Sequence, residues 1–205
     1  MKLLQLQSVR YVHTIFPVES EGFAREIPLD SLAGHLYEVE DPLPRAYVVP
    51  TGSLVGDQVE AINRVLDPDF DLRASVVITD STGDVVGGPG SPPREGRSFP
   101  GATIMEASAN RVQVELNEAS SGYVVLTDSY YPGWSAHVDG ERREIQLANY
   151  FFRAVAVRPG DHEVVFTYRS SAFDLGTRLS FLFIVLGMFL WIGLIVRDRL
   201  RSTTP

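Results

Sequence analysis

The sequence predicts a mainly β fold: an antiparallel β-sandwich in an extracytoplasmic domain, a mixed α/β N-terminal portion, and one C-terminal transmembrane helix. Three observations carry this expectation. Residues 99–172 hold six short apolar segments, several of them alternating with a period of two and separated by turn signals. Residues 1–82 mix similar segments with one stretch of helical period. Leu179 to Val196, LSFLFIVLGMFLWIGLIV, is an uncharged run of 18 residues. As a helix it spans roughly 27 Å, near the apolar thickness of a bilayer.

In the N-terminal portion, Ser8 to Thr14, His35 to Val39 and Arg45 to Val49 read as short strands, with Asp41-Pro42-Leu43-Pro44 as turn material. Ser53 is placed to cap a helix whose face is Val55, Val59, Ile62 and Leu66, and Pro68 ends it. Leu72 to Thr79, LRASVVIT, is apolar and β-branched, the composition of a buried strand. Residues 83–98, rich in Gly, Pro and Ser, predict a loop or linker.

Beyond the linker, RVQVEL puts Val112, Val114 and Leu116 on one face, and HEVVFTYR puts His162, Val164, Phe166 and Tyr168 on one face. Between them lie GYVVLTDS, WSAHV, REIQL and YFFRAVAV. Tyr131-Pro132-Gly133-Trp134 has the type II turn pattern, because Gly accepts positive φ at its third position. Val138-Asp139-Gly140-Glu141 predicts a two-residue hairpin of type I′. The expected divisions are 1–82, the linker 83–98, the sandwich 99–172, the helix 173–196 and a basic tail 197–205.

Charge narrows the partners. The 205 residues carry a net charge of −8; without the tail's three Arg and one Asp, 15 basic and 25 acidic residues remain, a net charge of −10. That opposes nucleic acid and anionic lipid heads as ligands of the domain. Arg197, Arg199 and Arg201 flank the apolar run and predict a cytoplasmic C-terminus in a cell membrane, with the bulk of the chain outside the cytoplasm. The start, MKLLQLQSVRYVH, lacks a signal-peptide pattern because Gln5 and Gln7 break its apolar core. The expectation is a chain that ends a longer multi-span protein or is made beside a multi-span partner.

The candidate binding residues are Asp128, Tyr130, Tyr131, Trp134, Asp139, Asn149, Arg153 and His162. Exposed Tyr and Trp rings suit a glycan face or a membrane interface, but such rings more often belong to the core or a turn of a sandwich. Asp128 and Asp139 are candidates for a carboxylate pair, Asp128 and Arg153 for a buried ion pair, and His162 for a ligand or a structural hydrogen bond. The four His show no metal-ligand spacing, and with no Cys there is no thiolate site, so neither a metal nor a cofactor is expected. No P-loop, GxGxxG or Ser-His-Asp pattern appears, and no residue is assigned as catalytic.

The stretch from Gly122 to Tyr168, continuing to Gly176, resembles the C-terminal end of the YfhO-type bacterial membrane proteins. The resemblance rests on Asp128, Tyr131-Pro132-Gly133-Trp134, Val138-Asp139-Gly140, Asn149, Arg153, Gly160 with His162, Tyr168 and Gly176. It extends more loosely to SVRYVHT, LYEVEDPLPRAYVV and DPDFD. It implies kinship with polytopic glycosyltransferases that use lipid-linked sugars outside the cytoplasm and decorate cell-envelope polymers. In that architecture the catalytic acid lies in an early extracytoplasmic loop. The resemblance therefore implies an accessory module and anchor, non-catalytic alone, with an envelope glycan as a possible partner. A free-standing membrane-anchored binding module for an envelope glycan or a protein is the alternative.

Overall fold

A computed structural model describes residues 1–19, 21–29, 33–79, 101–116 and 122–202, with side chains up to residue 195. The linker expected over 83–98 lies outside the described residues. Two compact units appear, Met1–Tyr168 and the segment from Arg169 onward.

The first unit is mainly β and is built from three sheets. A small antiparallel sheet has β3 (His35–Val39) between β1 (Tyr11–Thr14) and β2 (Phe23–Ile27), after a short helix α1 (Lys2–Leu6). A six-stranded sheet contains β4 (Ala46–Val49), β5 (Thr51–Val55), β6 (Ser75–Thr79), β9 (Gly122–Ser129), β12 (Gln146–Ala148) and β13 (Phe152–Val157), in the order β4-β9-β13-β12-β6-β5. A five-stranded sheet contains β7 (Ala102–Ala107), β8 (Arg111–Leu116), β10 (Trp134–Val138), β11 (Glu141–Arg143) and β14 (Glu163–Tyr168), in the order β11-β10-β14-β8-β7. The larger sheet thus draws three strands from before residue 80 and three from after residue 121.

All these pairings are antiparallel except β5 with β6, which are parallel and joined through helix α2 (Gln58–Leu66). A parallel pair needs such a crossover, and this is the α/β element of the N-terminal portion. The cap of α2 is Asp57 rather than Ser53: Asp57 Oδ1 accepts from the Glu60 N–H at 2.8 Å, and Glu60 Oε2 accepts from the Gly56 N–H at 2.9 Å. Ser53 lies in β5, whose pairing with β6 claims its backbone first. The buried helix face is correspondingly Ala61 and Val65, while Val59 and Leu66 are exposed.

The six-stranded sheet is covered on both faces. Along β9, Tyr123 and Val125 enter one core with Ala61, Val65 and Ile78. Val124 and Leu126 enter the other, against Val112, Val114, Ala136, Val164 and Phe166 of the five-stranded sheet. β4 and β13 divide their side chains in the same way. The layers are helix, sheet, sheet. This explains why VVL and AYVV are unbroken apolar runs: a strand buried on both faces has no polar face to alternate. The five-stranded sheet has one wet face, and β8 and β14 alternate as the sequence predicts.

Three local features differ from expectation. REIQL divides into β11 and β12, which belong to different sheets. YFFRAVAV begins with a turn, because Asn149 and Tyr150 both have positive φ, 47° and 82°, and strand β13 starts at Phe152. β2 and β7 are strands that periodicity did not reveal, both being half-exposed edge strands.

The second unit is one helix, α3 (Ser171–Ser202). Its segment Ser171–Ile195 is long and apolar enough to cross a membrane. Phe181, Phe183, Leu190 and Trp191 are each 64–70% exposed. A helix apolar on every side is matched by lipid and not by water.

Candidate functional site

The turn at Tyr131-Pro132-Gly133-Trp134 joins β9 to β10, and Gly133 has the positive φ of 103° that the type II pattern requires. Gly has no Cβ to clash there, and the turn leaves Tyr130 and Tyr131 projecting from the sandwich, 43% and 61% exposed. The hairpin at Asp139-Gly140, with φ of 48° and 83°, folds β11 back along β10. Arg142 then pairs with His137 and Arg143 with Ala136. Beside the first of these turns lies an open cleft of about 490 Å³, lined by Tyr130, Tyr131 and Trp134 together with Arg142, Arg143 and Glu144.

Charge in the cleft is balanced. Arg143 Nη2 lies 3.1 Å from Glu141 Oε2 and 3.8 Å from Asp161 Oδ1. Arg142 and Glu144 form no ion pair with a described residue. On the aromatic side the rings support one another: Tyr131 and Tyr168 centroids are 6.3 Å apart, Trp134 and Tyr168 5.4 Å, both pairs tilted.

Under Trp134 lies Arg153, whose guanidinium carbon is 3.8 Å from the indole centroid and 5.6 Å from that of Phe166. Its position follows from β13: Arg153, Val155 and Val157 alternate toward the layer between the two large sheets. The residue is 1% exposed. The pairing of β13 with β9 slips here, from Phe152 opposite Ser129 to Arg153 opposite Leu126. The slip frees Asp128 from the ladder and aims its carboxylate inward. Asp128 Oδ2 accepts from Arg153 Nη2 at 2.9 Å, and its two oxygens accept from Arg45 Nε and Nη2, both at 3.0 Å.

Two cations thus share one carboxylate. Burial lowers the Arg153 pKa, opposed by Asp128 and reinforced by Arg45; the hydrogen bond to Asp128 raises that of Arg45. Arg153 Nε and Nη1 are buried without a hydrogen-bond partner among the described residues, so the aromatic faces supply much of that side's attraction.

The remaining candidates lie elsewhere. Asn149 is fully buried: its Oδ1 accepts from the Val77 N–H at 2.9 Å, its N–H donates to Val77 O at 2.7 Å, and its Nδ2 donates to Tyr47 Oη at 3.2 Å. It stitches the β12–β13 turn to β6. Asp139 accepts from the N–H groups of His162 at 3.0 Å and Glu163 at 2.9 Å. Desolvation opposes the change, yet these hydrogen bonds hold its carboxyl below the usual range. The His162 ring is 81% exposed and 3.5 Å from Asp139. The structure therefore brings Tyr130, Tyr131 and Trp134 together at the cleft, sets Asp128 and Arg153 behind them, and places Asn149, Asp139 and His162 at turns.

Sequence reasoning missed Arg142, Arg143 and Glu144, although the type I′ turn carried the signal. Once that hairpin is assigned, its return strand must run beside Trp134. Arg45 had no such signal, being 83 residues from Asp128. Among the described residues no three His, Asp or Glu side chains are grouped to hold a metal ion.

No curated protein and no solved structure matches this chain. A family model does match, over residues 98–180, from the five-stranded sheet into α3. Over residues 98–180 the chain is similar to the family described as bacterial membrane protein YfhO, and with the apolar helix this likeness makes the chain a membrane-associated one.

Proposed function

We propose that residues 1 to about 172 form an accessory domain outside the cytoplasm, anchored by α3, that serves a glycosyltransferase-like membrane protein in glycosylating a cell-envelope polymer. The domain caps the membrane-embedded site and helps to hold the acceptor; it is non-catalytic on its own. One observation carries the reading: the region of family likeness runs unbroken from the sandwich into the apolar helix, so domain and anchor form a single functional tail. The Arg residues that follow the apolar run support a cytoplasmic C-terminus. The charge of the domain supports a partner other than nucleic acid.

The test is direct. The full chain in nanodiscs, supplied with a radiolabelled polyprenyl-phosphate sugar and envelope polymer, should transfer no label. Transfer by this chain alone overturns the proposal. A second reading, a free-standing membrane-anchored binding module, draws support from the aromatic cleft. An immunoblot of source-cell membranes with an antibody to the Arg-rich tail separates the two. A band several times heavier than 22.7 kDa favours the first, and a band at that mass favours the second.

A further inference from the structure

We propose that the cleft between Tyr131 and Arg142 binds an uncharged saccharide segment, with the Tyr131 ring stacked on a sugar face and Arg142 and Glu144 hydrogen-bonded to its hydroxyls. The cleft volume of about 490 Å³ falls within the roughly 300–1,000 Å³ typical of small-molecule sites. Its shape is open, which suits a chain lying across it better than a compact apolar ligand. Tyr131 stands 61% exposed, braced at its edge by Tyr168, so stacking on it requires no rearrangement of the core. Trp134 is fixed from beneath by Arg153 and so forms a firm floor.

Electrostatics decide the class of sugar. Arg143 is compensated by Glu141 and Asp161, and the charges of Arg142 and Glu144 cancel. The cleft offers both fixed donors and fixed acceptors but no excess of cation to hold a phosphate or carboxylate. Hydroxyl groups, which donate and accept, match that inventory.

The inference deepens the accessory-module reading and rests on it for where such a saccharide would come from. Binding is read without any transferase, so failure here leaves the anchor reading standing, and failure there leaves this site standing.

The full chain in nanodiscs is titrated with cellohexaose, mannohexaose and chitohexaose, with an oligogalacturonate as the anionic comparator, and binding is read by saturation-transfer NMR. At least one neutral hexamer should bind. Tyr131→Ala should weaken it about tenfold, while Tyr131→Phe keeps the ring and stays within twofold. Phe16→Ala, at an aromatic 77% exposed in another part of the unit, should change nothing. Near-UV circular dichroism of each variant establishes that it is folded. Binding of the anionic oligomer only, binding of none, or equal binding by the folded Tyr131→Ala variant overturns the proposal.

Discussion

Arg153 Nη2 and Asp128 Oδ2 lie 2.9 Å apart across a slip in strand pairing, and Trp134 covers the same guanidinium at 3.8 Å. The pair joins the interior of the sandwich to the aromatic wall of its cleft. Removing one partner of a buried pair leaves the other charge uncompensated. Asp128→Ala should therefore cost about 3 kcal/mol of stability, at the lower end for such pairs because Asp128 is partly solvated and Arg45 stays wet. Arg153→Met on that background should recover more than half of the loss, as read by urea unfolding in micelles. If the double variant is less stable than Asp128→Ala, the buried charge is not the cause.

Trp134 is half-buried, and its neighbours include a cation as well as apolar side chains. Trp134→Ala should cost about 2 kcal/mol, less than a fully buried aromatic would. Trp134→Phe, which keeps a ring over Arg153, should cost less than half of that. Equal losses in the two would mean that ring stacking contributes little.

Asn149 does the work of a strand residue from within a turn. Its side chain completes the pairing with Val77 while its backbone holds a φ of 47°. Asn149→Ala loses the hydrogen bond and strains the backbone, at about 2 kcal/mol. Asn149→Gly relieves only the strain and should sit between the two. Thermal unfolding of the three proteins orders them; Gly at or below Ala would refute the contribution of positive φ.

Asp139 links acidity to the hairpin. Its carboxyl is held below the usual range in the folded chain, so protons favour the unfolded one. Its contribution is present above the ordinary carboxylate value, near 3.8, and is lost as pH falls through the depressed folded value. Asp139→Asn should flatten that acid limb of the stability profile and leave stability at pH 7 to pH 9 without new pH dependence. An unchanged acid limb would assign it to other carboxylates.

Tyr47 acts at the opposite end of the scale. Burial is the main cause raising its phenol pKa above the ordinary 10, and the hydrogen bond from Asn149 offsets only part. The folded state then holds a proton that the unfolded state releases. Its contribution is complete below about pH 10 and is lost as pH rises beyond it. Tyr47→Phe should remove the part of alkaline destabilisation that begins near that pH. Unfolding midpoints at pH 8 and pH 11 test this, and an undiminished drop in the variant would contradict it.

The parts of this molecule that were legible in its sequence are those governed by local rules. Asp139-Gly140 and Pro132-Gly133 announce their turns because few other residues accept positive φ. β8 and β14 show their period because one face is wet. The apolar run of α3, Leu179 to Val196, is plain because no charge interrupts it. What stayed hidden depends on distant partners. The runs of β4 and β9 mark burial on both faces without saying which sheet buries them. The helix cap moved from Ser53 to Asp57 because β5 took the earlier residues into a parallel pair with β6. The Asp128–Arg153 contact was legible only as a pair of types, since the slip that joins them is a property of two strands together. The cleft's second wall followed from the hairpin but not from any residue within it.

The central claim is that the domain lies outside the cytoplasm on a helix whose C-terminus lies within it. The chain has no Cys, so single introduced thiols report on it without background. Glu141→Cys, at the exposed hairpin, and Thr203→Cys, in the tail, are expressed separately and exposed to a membrane-impermeant maleimide in intact cells. The account predicts labelling at position 141 in intact cells and at position 203 only after permeabilisation. The reverse pattern would place the domain in the cytoplasm and contradict it.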